Sequence, residues 1–139
     1  MQTDDDTVAL VRRAFEDFDV GSSDLDDYFR RYYVPNGVVE FVDGFPLTGR
    51  YEGIDGYRRW FEESYGPYTD VVRRLDAITA EGDVVVALLT LTGRSREDDV
   101  ELEVRLGNTY ELEDGRIRHL RIYVGHERAL EAARGVLAD

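Results

Sequence analysis

The chain has 139 residues, the size of one ordinary domain, and 42% of them are hydrophobic, enough to build a core without staples. It has no cysteine, which excludes disulfides, thiolate metal sites and a cysteine nucleophile. A formal charge of −13 argues against nucleic acid and anionic membrane as partners, because both reward clustered cations.

All 17 basic residues are arginine. GC-rich coding accounts for this, and so does adaptation to high salt. Met1 to Thr7 is polar and acidic, and no run approaches the ~18 apolar residues of a membrane span. The expectation is a cytoplasmic protein forming one domain over residues 1–139.

In chain order, Thr3 to Asp6 supply caps and first-turn carboxylates for a helix. Val8, Val11, Phe15 and Phe18 recur at helical spacing up to Gly21. Ser23 or Asp24 opens a second helix carrying Leu25, Phe29 and Tyr32, and Pro35-Asn36-Gly37 is expected to end it. Val38 to Val42 reads as a short strand and Asp43-Gly44 as a turn. A third helix follows Gly53, with Ile54, Tyr57, Phe61 and Tyr65 on one face and Gly66-Pro67 as its breaker.

The second half changes period. Val71–Ala80, Asp83–Thr92, Val100–Leu112 and Arg116–Val124 read as strands joined by tight turns, hence antiparallel hairpins. Glu127 to Ala138 reads as a last helix. Helices followed by a meander give an α+β class, with the helices on one face of an antiparallel sheet. In the third of these strands, Leu102, Val104, Leu106, Asn108, Tyr110 and Leu112 alternate with Glu101, Glu103, Arg105, Gly107, Thr109 and Glu111. One face is therefore apolar except for Asn108. Fourteen of the sixteen aromatic residues lie between Phe15 and Tyr68, so large rings can wall a cavity against that face.

Several short segments in this order resemble the nuclear-transport-factor-two-like superfamily, with its SnoaL-like cyclases and ketosteroid isomerase. They are Phe18-Asp19-Val20-Gly21, Tyr33 eight residues before Phe41, Leu47-Thr48-Gly49 and Glu52-Gly53-Ile54-Asp55-Gly56. Leu112-Glu113-Asp114-Gly115-Arg116-Ile117 and Arg121-Ile122-Tyr123 complete the set. The resemblance implies a curved antiparallel sheet wrapped around the N-terminal helices, forming a cone with an apolar pocket. It also implies where chemistry would sit. The carboxylate base of ketosteroid isomerase falls on Phe41, its oxyanion tyrosine on Ala14 and its neutral acid on Asn108. The acid/base aspartate of the SnoaL-like cyclases falls on Val124. A positioned base contributes ~10²–10⁴-fold, so its loss counts against both family reactions.

The candidate catalytic residues are therefore Asn108 and Tyr33 as oxygen-binding donors, with Asp43 as a displaced base. Phe15, Phe41, Trp60, Phe61, Leu120, Ile122 and Val124 are the candidate substrate-binding residues. Asn108 must find a partner, either a ligand oxygen or neighbouring backbone, water or Tyr33. His119, Arg121 and Tyr123 alternate away from Leu120, Ile122 and Val124, which puts them on the outer face. His126 is expected to be a solvated residue at a helix start. Two histidines so placed make no metal site, and there is no phosphate loop or nucleophile elbow.

The expected function is cofactor-free isomerisation, cyclisation or dehydration of a hydrophobic polycyclic or terpenoid-like molecule. The alternative is a non-catalytic binding or dimerisation module of the same fold. Arg105, Arg121 and His119 share the outer face with Glu101, Glu103 and Glu111, which suggests a homodimer through that face.

Overall fold

A computed structural model of the chain describes residues 4–18, 25–42, 49–82 and 84–133. Its elements are α1 (Asp4–Asp17), α2 (Leu25–Tyr32), β1 (Tyr33–Phe41), β2 (Gly49–Glu52) and α3 (Gly53–Tyr65), then β3 (Tyr68–Glu81), β4 (Val84–Ser95), β5 (Glu101–Glu113), β6 (Arg116–Val124) and α4 (His126–Ala133). The six strands form a curved, unclosed sheet in the order β2-β1-β6-β5-β4-β3. The α+β reading stands. The sheet is mixed, however, because β1 runs parallel to β6, with Val39 opposite Leu120 and Phe41 opposite Ile122. The other pairings are antiparallel. Among the described residues no helix is long and apolar enough to cross a membrane.

The chain enters β1 directly from α2, five residues earlier than the Pro35-Asn36-Gly37 signal suggests. Pro35 sits where the β1–β6 register slips between Tyr33 and Val38, so its missing N–H breaks no regular ladder. Gly37 makes the close approach possible. A Cβ there would lie 2.5 Å from the Arg118 carbonyl oxygen and 2.6 Å from the Tyr57 hydroxyl. The Tyr57 hydroxyl donates to the Val34 carbonyl at 2.7 Å, pinning α3 to this irregular stretch. β2, too short to show an alternation, pairs with β1 from Val38–Glu52 to Phe41–Gly49.

α1, α2 and α3 cover the concave side of the sheet. Their apolar stripes are buried as the helical spacing requires: Val11 and Ala14 on α1, Phe29 and Tyr32 on α2, Tyr57 and Trp60 on α3. Arg58 holds α2 to α3 with a two-pronged bond to Asp26, at 2.6 and 2.8 Å, which lowers the Asp26 carboxyl below its usual range.

α4 lies on the opposite, outer side, so helices cover both faces rather than one. Ala129 is fully buried there with Val86 and Tyr123. Gly107 is what lets α4 dock, since a Cβ on it would lie 2.2 Å from that of Ala129. His126 is tied down rather than solvated. Its Nε2 lies 3.0 Å from the Leu89 carbonyl oxygen and 3.7 Å from an Asp76 carboxylate oxygen, because the start of α4 leans on β4. The part of the expected last helix beyond Ala133 lies outside the described residues.

Candidate functional site

Between the three concave-side helices and the sheet lies a cavity of about 410 Å³. β5 lines it with Leu102, Val104, Leu106, Asn108 and Tyr110, the apolar parity of that strand. From β6 come Leu120 and Ile122, from β1 Tyr33 and Phe41, and from α1 Ala14 and Phe15. α3 contributes Trp60, Ser64 and Tyr65, and β3 contributes Val71 and Arg73. Phe18 is the hub of the aromatic wall, with its ring centroid 5.2 Å from Tyr28, 6.0 Å from Trp60 and 5.6 Å from Tyr65.

Of the expected substrate-binding residues, Phe15, Phe41, Trp60, Leu120 and Ile122 line the cavity. Phe61 stands one layer back, packed on Phe18 at 5.7 Å and Tyr65 at 5.4 Å, and so supports the wall. Val124, the last residue of β6, is not among the lining residues. Asp43 lies outside the described residues.

Asn108 is 5% exposed. Its Nδ2 donates to the hydroxyl of Tyr110 at 3.0 Å, and its Oδ1 is buried with no partner. The anticipated structural partners were backbone, water or Tyr33. The actual one is the next residue on the same strand face, because side chains at i and i+2 point the same way. Turning the amide over would satisfy the other end on the same hydroxyl and bare the NH₂ instead, since a phenol both donates and accepts. Either way one end of the amide stays unpaired.

Tyr33 packs between Phe29 and Tyr57, with centroids at 5.5 and 5.1 Å. Burial pushes its hydroxyl well above the usual phenol range, as it does for Tyr28, and raises Tyr110 as well. These phenols remain protonated donors at neutral pH. Tyr28 already donates to the Ala14 carbonyl at 2.6 Å.

Three further polar groups belong to the cavity. Trp60 Nε1, Ser64 Oγ and Arg73 Nε are buried without a partner, like Asn108 Oδ1, and all four residues line the one cavity. An unmade hydrogen bond on a buried group costs about 1–3 kcal/mol. Such groups therefore call for a partner that the chain does not supply. Ser64 follows Trp60 at i+4 and could have been read from helical spacing. Arg73 could not, because Val71-Val72-Arg73-Arg74-Leu75-Asp76 places an apolar residue and an arginine on each parity.

The outer face carries its own ion network. His119 Nε2 lies 2.7 Å from Glu40, Arg121 Nη1 donates to Glu111 at 2.6 Å, and Arg118 reaches the other Glu111 oxygen at 3.2 Å. His119, Arg121 and Tyr123 are thus turned away from the cavity, as the alternation predicts.

Residues 11–120 match the SnoaL-like domain, so the chain belongs to that family. No sequence among curated proteins matches it. Its fold is shared by solved structures of low identity. One, from Jannaschia sp. CCS1, is assigned as a SnoaL-like polyketide cyclase; it is 19% identical over 92% of this chain and 91% of its own, with a TM-score of 0.74. AclR from Streptomyces galilaeus, assigned as a hydroxylase, is 17% identical over 99% and 89%, with a TM-score of 0.68. A protein of ketosteroid isomerase-like fold from Catenulispora acidiphila DSM 44928, solved in complex with trimethylamine, is 12% identical over 96% and 95%, with a TM-score of 0.66.

Proposed function

We propose that the chain, acting as one cytoplasmic domain, binds a hydrophobic polycyclic or terpenoid-like molecule in this cavity. It would then act on the ligand by cofactor-free proton transfer, as an isomerase, cyclase or dehydratase. The observation that carries the reading is the set of four unpaired polar groups, on Trp60, Ser64, Arg73 and Asn108, around one apolar cavity. A volume of about 410 Å³ suits a small molecule of drug size. Flat rings match the aromatic wall, and edge oxygens match the unpaired groups. Asn108 and Tyr33 would hold a ligand oxygen, and Asp43 would serve as base. The solved relatives assigned as a cyclase and a hydroxylase agree with small-molecule chemistry in this fold.

A non-catalytic binding module is the second reading, and one observation favours it. Glu103 is the only carboxylate among the described lining residues, and the alternation of β5 turns it outward. The first reading also includes pairing of two copies through the outer face of the sheet.

Trp60 is the only tryptophan of the chain and lines the cavity, so its fluorescence reports occupancy. Titration with anthraquinone, a neutral fused-ring ketone, is expected to quench it saturably. Unchanged Trp60 emission up to the solubility limit of the ketone would remove the reading.

A further inference from the structure

We infer that Arg73 makes the cavity selective for an apolar acid, a ring system whose carboxylate oxygens dock on its guanidinium. The inference deepens the proposed function and rests on the cavity being a ligand site.

Arg73 projects from β3 into the cavity, its guanidinium carbon 4.2 Å from the ring centroid of Phe15 and 4.4 Å from that of Phe18. Ring faces attract a cation but accept few of its hydrogens. Its Nη1 donates to the Phe15 carbonyl at 3.3 Å, and its Nε is buried without a partner. A guanidinium has five N–H donors, and the Nε–H of this one is shut away from water with no acceptor in the protein.

A contrast with three arginines of the ion networks points to an anion. Arg58, Arg74 and Arg121 each meet a carboxylate at 2.6–2.7 Å. The chain has 30 acidic residues, yet among the described residues none comes within 4.0 Å of the Arg73 guanidinium. Arg73 is also the only cation among the described lining residues. Shielding part of a charge from water has a cost that an opposite charge offsets, and the fork of Arg fits a carboxylate in two-pronged fashion. A net charge of −13 repels anions at long range, so an acid admitted here is selected by the site and not by the surface field.

The register also sets the two groups on different backbone rows. Arg73 lies in the row of Leu91 and Val104, and Asn108 lies in the row of Ala87 and Ile122. The two rows are four residues apart on β5, about 13 Å at ~3.3 Å per residue. The long side chain of Arg73 shortens that gap, since its charge is felt at the Tyr110 hydroxyl beside Asn108, so one ring system can meet both groups.

The test uses two matched probes, anthraquinone carboxylate and its neutral carboxamide, titrated against the full chain at neutral pH by calorimetry or Trp60 quenching. Wild type should bind the carboxylate at least about tenfold tighter, ~1.4 kcal/mol. Arg73→Met, which keeps an apolar stem against Phe15 and Phe18, should cost the carboxylate far more affinity than the carboxamide and so remove that preference. Arg73→Lys should keep part of it. Equal affinity of wild type for both probes overturns the inference and leaves the cavity reading standing. So does a preference that survives in Arg73→Met. Should neither probe bind wild type, both fall together. The wild-type pair decides even if a variant fails to fold.

Discussion

Asn108 gives its amide to the hydroxyl of Tyr110 at 3.0 Å, so the one polar side chain on the apolar face of β5 is half satisfied within its own strand. The other half is buried beside the cavity, which makes this pair the most direct place to separate a structural role from a binding one.

Asn108→Leu should change the stability of the empty protein by less than about 1 kcal/mol, because it removes one bare polar atom while orphaning the Tyr110 hydroxyl. Adding Tyr110→Phe should raise stability above that of either single variant, since an apolar pair leaves nothing unpaired. Affinity for anthraquinone should fall about fivefold to tenfold in Asn108→Leu, near the ~1–1.5 kcal/mol of one neutral hydrogen bond. Urea unfolding and Trp60 titration measure the two quantities. Stability lost by well over 1 kcal/mol, with ligand affinity intact, would make Asn108 structural.

Gly107→Ala should destabilise the protein by about 1–3 kcal/mol through overpacking against Ala129. Ala129→Gly in the same chain should restore part of the loss, although glycine is the poorer helix former. No recovery in the urea midpoint of the double variant would mean that α4 docks in some other way.

Glu111 gives a pH dependence with a definite sign. Burial works to raise its carboxyl, but the Arg121 hydrogen bond and the charges of Arg121, Arg118 and His119 outweigh it and hold the group below the ordinary glutamate value. A lowered folded value stabilises above the unfolded one and is lost as pH falls through the folded one. Glu111→Gln should therefore be less stable than wild type at neutral pH, and the gap should close in acid below the ordinary glutamate range. Thermal melts across that range would refute this if the gap stayed constant.

Isomerisation of a steroid β,γ-unsaturated ketone should stay at the uncatalysed rate. The positions that resemblance assigns to base and oxyanion tyrosine are Phe41 and Ala14, and both line the cavity with apolar side chains. Turnover within about tenfold of an authentic ketosteroid isomerase would show that other groups, Asp43 among them, do the chemistry.

Light scattering should give a mass of twice 15.9 kDa at low salt, falling toward one chain near about 1 M salt, where screening acts over ~3 Å. Arg121 is satisfied by Glu111, His119 by Glu40 and Glu101 by Arg94 within the chain, which leaves exposed Glu103 and Arg105 to carry the contact. A single-chain mass at low salt and micromolar concentration removes the outer-face dimer.

Much of the architecture was legible in the sequence because it is written in short-range periodicity. Helical spacing marks Val11, Phe29 and Tyr57 as buried, and strict alternation on β5 separates Leu106 and Asn108 from Arg105 and Gly107. The family resemblance came from the order of such pieces. Even Asn108 stood out locally, as the one polar residue in an apolar row.

Tertiary structure alone decided what has no local signature. Parallel pairing of β1 with β6 joins residues about eighty positions apart, and Pro35 and Gly37 read as a stop until β6 supplies the irregular partner they fit. α4 took the outer face because Gly107 leaves room for Ala129, a complementarity spread over two distant elements. Arg73 is the sharpest case. Strand alternation is ambiguous around it, and its shielded Nε and its place over the Phe15 and Phe18 rings appear only once the helices close over β3, a property of the folded whole.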